Sequence, residues 1–251
     1  MSNATATPVI DFENSTHFIA QSKGGAGKTI VATIFAQYLK ARINEVHFYD
    51  TDANNKTFGG FKSLDVVKLN VLNDDKMIDQ SKFDDLLEKL VEVQGATLTD
   101  TGSGEFLPIV NYMISTEVVP ILEDSGKQVV FHVPVVFDES VKETFVCLST
   151  LIENFPSAKF IVWKNNHHAK DTGQIDFKTL SKKCPNILGY IDMPKLNAQL
   201  DGMDFSGMIY DKQTFDEFCS NPSNKIGIRQ RMKRLKQYYF DELDKVLFTN
   251  N

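Results

Sequence analysis

In Thr16-His17-Phe18-Ile19-Ala20-Gln21-Ser22-Lys23-Gly24-Gly25-Ala26-Gly27-Lys28-Thr29 a short apolar run passes into a cluster of glycines and closes on a lysine and a threonine. Thr16 to Gln21 reads as a buried strand, and Lys28 to Lys40 as an apolar helix. Strand, glycine turn and helix in that order build a phosphate cradle. The glycines let the backbone wrap an anion, and the helix start offers it unpaired N–H groups. A lysine inside such a loop neutralises the terminal phosphates, and the hydroxyl that follows can hold magnesium.

Working outward, Glu45 to Asp50 reads as a second strand ending in acid. Phe83 to Val93 has helical periodicity, and Ala96 to Thr99 reads as a third strand ending at Asp100. The alternation continues through strand Gln128 to Pro134, helix Glu139 to Asn154 stopped before Pro156, strand Lys159 to Lys164, helix Asp176 to Lys183 and strand Ile187 to Ile191. This order predicts an α/β fold with a mostly parallel twisted sheet and helices on both faces. A polar start, residues 1–14, is expected to fray. Residues 15–251 are expected to form a single domain closed by a long helix over Ile226 to Phe248. In that helix Ile228, Met232, Leu235, Tyr239, Leu243 and Val246 recur at three- and four-residue intervals.

With 251 residues and 42% hydrophobic content, the chain can bury a substantial core. Its net charge of -6 argues against a surface that attracts nucleic acid everywhere, while leaving room for a local basic patch. Cys147, Cys184 and Cys219 stand far apart, which suggests neither a disulfide framework nor a zinc site and points to a reducing cytoplasm. The start lacks the pattern of a signal peptide, and no stretch of about 18 consecutive apolar residues occurs, so neither secretion by the general route nor a membrane span is expected.

The common phosphate-loop pattern is G-x-x-x-x-G-K-[ST]; here Ser22 takes the place of the first glycine and Lys23 precedes a glycine pair, giving K-G-G-x-G-K-T. This resembles the deviant Walker A motif of the ParA/MinD superfamily of P-loop ATPases, whose fold is Rossmann-like. The resemblance implies ATP and Mg²⁺ as cofactors and an ATP-dependent homodimer formed face to face. It assigns the nucleotide's phosphates to Gly24, Gly25, Ala26, Gly27, Lys28, Thr29 and Ile30, and makes Thr29 a direct magnesium ligand. Lys23 becomes a catalytic residue that reaches across to the other subunit's nucleotide.

Carboxylates follow where such chemistry needs them, since strand carboxyl ends line the ligand crevice of an α/β sheet. By resemblance Asp52 positions the attacking water beside the metal, and Asp50 supports it. Many relatives have proline after this D-x-D segment, whereas Ala53 stands here. Asp100 opens Asp100-Thr101-Gly102-Ser103-Gly104, which resembles a Walker B strand merging into switch II. An acid there holds the magnesium shell, although Thr97 and Thr99 interrupt the apolar run before it. Asn165 stands where relatives place an adenine-contacting asparagine, and Pro194 where a proline segment flanks the base. Both residue types are also ordinary loop formers.

Beyond the nucleotide site the chain resembles the TraL proteins of plasmid conjugation operons. The likeness runs through Thr57-Phe58-Gly59-Gly60-Phe61-Lys62, Phe106-Leu107-Pro108, Ile114-Ser115, Val162-Trp163, Asp204-Phe205-Ser206, Thr214-Phe215-Asp216 and Arg229-Gln230-Arg231. It implies conjugal DNA transfer as the process and a protein of the transfer machinery as partner. His167-His168 lacks companions for a metal shell and reads as loop. No cysteine closely follows Asp100 to hold an iron–sulfur cluster, and Tyr238-Tyr239 is too sparse for a tyrosine-kinase tail.

Lys225, Arg229, Arg231, Lys233, Arg234 and Lys236 give the last helix a basic side, which could touch DNA or an anionic membrane. Its continuing apolar stripe favours a helix docked on the domain, with the basic side wet. Three functional readings follow: an ATP hydrolase, a nucleotide-binding switch or scaffold with weak catalysis, and an ATPase that positions cargo on the nucleoid or the inner membrane.

Overall fold

A single direction of travel runs through the central sheet. The computed structural model describes residues 7–52, 57–167 and 169–249. Its first strand, β1 (Thr7–Pro8), pairs antiparallel with the last, β9 (Phe248–Thr249). Between them lie β2 (Ser15–Ile19), β3 (Val46–Asp50), β4 (Val67–Lys68), β5 (Ala96–Asp100), β6 (Gln128–Val136), β7 (Lys159–Asn165) and β8 (Ile187–Met193). These seven form one sheet in the order β4-β3-β5-β2-β6-β7-β8, with every pairing parallel.

Strand side chains alternate between faces, so a sheet covered on both sides needs apolar residues at successive positions. Phe18 faces one core and Ile19 the other; Phe160 and Val162 join the first, Ile161 and Trp163 the second. Helices α1 (Lys28–Lys40), α7 (Asp201–Tyr210), α8 (Phe215–Ser220) and α9 (Ile226–Leu247) cover the Ile19 side. The Phe18 side takes α2 (Lys82–Glu92), α3 (Phe106–Ser115), α4 (Val118–Asp124), α5 (Val141–Asn154) and α6 (Phe177–Lys183). The expected α/β fold is therefore present, and the strands read from sequence match to within a few residues.

Several features depart from the reading. The stretch after Gly104 folds as α3 and α4, although it carries Pro108 and Pro120. Each proline sits in a first turn, where its missing N–H would have had no helical partner. Helices α7 and α8 were likewise not foreseen. From Thr7 onward the expected frayed start is packed instead: Ile10 and Phe12 are buried, and Phe12 stacks on Phe248.

The long terminal helix is docked, as its stripe suggested. Met232, Leu235, Tyr239, Leu243 and Leu247 are buried, while Arg231 pairs with Asp204 and Lys236 with Asp216. Lys225, Lys233 and Arg234 remain exposed. No single helix among the described residues is long and apolar enough to cross a membrane.

Candidate nucleotide site

Because β2 is central, its carboxyl end opens between β5 and β6, and the glycine loop fills that opening. Gly25 (φ 75°) and Gly27 (φ 101°) take left-handed backbone conformations, which residues with a side chain enter at a cost. Gly27 caps α1, so the helix's first N–H groups point into the loop. A Cβ on Gly27 would stand 2.9 Å from Asn165 Nδ2, so close packing also excludes a larger residue. Gln21 anchors the loop's entry from its buried amide, donating to the carbonyls of Pro134 (2.7 Å) and Thr144 (3.2 Å).

Lys28 Nζ donates to the Lys23 carbonyl at 3.4 Å. Burial lowers its pKa, and the charges of Asp100 and Asp52 partly offset that effect. Thr29 Oγ1 donates to Asp100 Oδ2 at 2.8 Å, joining the start of α1 to the end of β5. Burial raises the Asp100 carboxyl to about 8, against the pull of the Thr29 hydrogen bond, and Asp50 adds to the rise.

The other Asp100 oxygen, Oδ1, is buried and accepts no hydrogen bond among the described residues. An orphaned carboxylate oxygen beside a threonine hydroxyl fits a hydrated magnesium ion. No group of three or more His, Cys, Asp or Glu residues is placed to hold a metal among the described residues.

Asp50 is fully buried and organises the neighbouring loop: Oδ1 accepts from Asp52 N–H at 3.0 Å and Oδ2 from Gly59 N–H at 2.7 Å. Asp52 comes close to Gly102, where a Cβ would stand 3.0 Å from the Asp52 carboxyl carbon and would collide with the Glu105 carboxylate. A Cβ on Gly24 would in turn stand 3.7 Å from Ser103 Oγ. The glycine loop, the D-x-D end of β3 and the D-T-G-S-G end of β5 thus converge. Ala53 and His168 lie outside the described residues.

Lys23 takes a different direction. Its ammonium lies 3.4 Å from Glu143 in the first turn of α5, with both side chains about half exposed. Asn165 uses both ends of its amide on protein, donating to the Ala26 carbonyl (3.0 Å) and accepting from His167 N–H (3.0 Å). It ties the end of β7 to the glycine loop. Asn165 and Pro194 also wall a cavity of about 390 Å³ that reaches Gly25, Gly27 and Ile30.

Sequence reasoning missed two residues here. Glu105, fully buried, follows directly on the D-T-G-S-G run and acts electrostatically on Lys28; its place after that run was the available signal. Cys147 sits beside Ser22 and Lys28, and burial pushes its thiol up to about 12, so it stays uncharged. Nothing in its spacing marked it.

Phosphate is what such a cradle is shaped to hold, and fold and site together define a P-loop nucleotide-binding protein. Residues 17–236 match the family described as the CobQ/CobB/MinD/ParA nucleotide binding domain, and the chain belongs to that family. Two TraL proteins of Escherichia coli are each 33% identical to it over 235 residues, covering 91% of this chain and 96% of each relative. Among solved structures, the cell division ATPase MinD of Pyrococcus furiosus has a similar fold (TM-score 0.55, 14% identity, 92% of this chain and 99% of that one). So does a ParA family ATPase of Chlorobium tepidum (TM-score 0.51, 12% identity, 89% and 99%).

Proposed function

We propose that this protein is a slow Mg²⁺-dependent ATP hydrolase that dimerises around its nucleotide in the service of plasmid conjugal transfer. The observation that carries the reading is the Thr29–Asp100 contact, which brings the phosphate loop and the acid of β5 together within reach of the Lys28 charge. The family match and the TraL likeness support the nucleotide and the process.

In this reading the loop N–H groups and Lys28 bind the phosphates. Thr29 and Asp100, with Asp52 beside them, would hold magnesium. When bound, that ion neutralises phosphate charge as a Lewis acid. Asp52, its backbone fixed by Asp50, orients the attacking water and accepts its proton. Asn165 and Pro194 flank the base. The protein works in the cytoplasm, where a partner of the transfer machinery responds to its nucleotide state. The exposed cations of α9 offer a contact to DNA or an anionic membrane.

Magnesium-dependent release of phosphate from ATP by purified protein, abolished in Lys28→Ala, is the expected result. Equal activity in that variant would overturn the assignment. One observation favours a second reading, a nucleotide-binding switch with little turnover: Lys23 is engaged by Glu143 within its own chain.

A further inference from the structure

The cavity next to the glycine loop has an outer wall that neither the loop nor the proposed chemistry uses. Its inner end is Gly25, Gly27 and Ile30, and its outer side is α7, through Phe205, Ile209 and Tyr210. Most of α7 is held firmly. Met208 is fully buried, Phe205 stacks on Phe215 with ring centres 6.0 Å apart, and Asp204 accepts a hydrogen bond from Arg231 Nε at 2.7 Å.

Tyr210 is the exception. It is the last residue of α7 and lines the cavity, yet it is 83% exposed. An aromatic ring left in water beside an apolar slot has both faces unused. The backbone that carries it is fixed on its far side as well. The chain turns at Lys212, a non-glycine residue in the left-handed region (φ 55°), and the Lys212 stem lies over Gly60, where a Cβ would stand 3.1 Å from Lys212 Cγ. The Tyr210 backbone is therefore held at the cavity's edge, and its exposed ring is free to turn about its two side-chain torsions.

We propose that Tyr210 closes this cavity by stacking on the base of the bound nucleotide, so that a base-bearing triphosphate is held more tightly than a bare polyphosphate. This rests on the reading of the glycine loop as a nucleotide site and adds to it the residue that recognises the base. Stacking uses the π-face that every base has, so the contact selects nucleotides over inorganic phosphates without choosing among bases.

The test is equilibrium binding by calorimetry in magnesium buffer, with ATP, GTP and inorganic tripolyphosphate as probes, on wild type, Tyr210→Ala and Tyr210→Phe. Tyr210→Ala should weaken ATP and GTP binding by on the order of tenfold and leave tripolyphosphate unchanged, while Tyr210→Phe keeps wild-type affinity. ATP binding that is unaffected by Tyr210→Ala, or lost together with tripolyphosphate binding, would overturn the base contact alone. A wild type that binds none of the three probes would overturn the nucleotide reading, and this inference with it.

Discussion

His132 Nε2 lies 3.0 Å from His17 Nδ1, and both rings are fully buried beneath Phe35 of α1. The surrounding bonds fix both tautomers. Trp163 Nε1 donates to His132 Nδ1 at 3.1 Å, so neutral His132 carries its proton on Nε2 and donates to His17. His17 Nε2 then donates to Ser15 Oγ at 2.9 Å, and that hydroxyl donates to the Phe12 carbonyl at 3.0 Å. Each group in this chain has its partner only while both imidazoles are neutral.

Acid should therefore destabilise the fold before most carboxylates titrate. Burial pushes His17 down to about 3, and His132 well below its ordinary value with His17 adding to the effect. Both folded-state values are depressed, so the unfolded chain binds more protons once pH falls below its own value of about 6.5. Stability is complete above that pH and is lost as pH drops from there toward 3. At pH 5 the loss is about 2 kcal/mol from His17, and His132 adds to it. Urea unfolding at pH 7.5 and pH 5 should show it, and a His17→Val, His132→Val double variant should show a smaller difference. An equal difference in the double variant would assign the acid sensitivity elsewhere.

Lys28→Ala should weaken ATP binding about a hundredfold, because it removes the cation placed on the terminal phosphates within the loop. The variant should still fold, since Lys28 Nζ makes only a long contact to the Lys23 carbonyl. Calorimetry together with circular dichroism checks both halves. Undiminished affinity would refute the phosphate-loop assignment.

How much of this was legible depends on where each contact's information lies. The glycine loop, α1 and the acids at the ends of β3 and β5 are local: strand, turn and helix signals sit side by side, and parallel topology brings the strand ends together. The pairing of His17 with His132 spans 115 residues, and nothing near either residue announces it. Helices α3 and α4 each carry a proline, Pro108 or Pro120, whose place in a first turn the sequence alone does not announce. The packing of Lys212 over Gly60 was invisible for a similar reason, since it joins the end of α7 to the turn after the D-x-D segment. Asn165 was legible as a residue of the site, but its bond to the Ala26 carbonyl was not.

Asp52→Ala should leave ATP binding within a few-fold of wild type and slow hydrolysis on the order of a hundredfold, because its proposed partner is the water. Asp50→Ala should slow hydrolysis too, by releasing the hydrogen bonds from Asp52 N–H and Gly59 N–H that set the loop. Steady-state kinetics with a separate binding measurement distinguish the roles. If binding and turnover fell together in Asp52→Ala, that carboxylate would belong to the metal or the fold instead.

Lys23 gives the sharpest test of the dimer mechanism, because its side chain lies 3.4 Å from Glu143 and leaves Lys28 as the loop's own phosphate cation. An exposed pair of this kind is worth at most about 1 kcal/mol, so Lys23 can leave Glu143 readily when a second subunit offers a nucleotide. Across that interface its charge would offset negative charge developing in the transition state. Lys23→Ala should therefore bind ATP as a monomer but lose ATP-dependent dimerisation and most turnover, whereas Glu143→Gln should dimerise at least as readily as wild type. Mixing Lys23→Ala with Asp52→Ala creates heterodimers in which one site has its own Asp52 and receives Lys23 from the other subunit. Those sites should hydrolyse ATP, so the mixture should regain part of the activity each variant lacks. Sedimentation would report the heterodimer and phosphate release its activity. An inactive mixture in which heterodimers form would place the action of Lys23 within its own subunit and exclude the face-to-face mechanism.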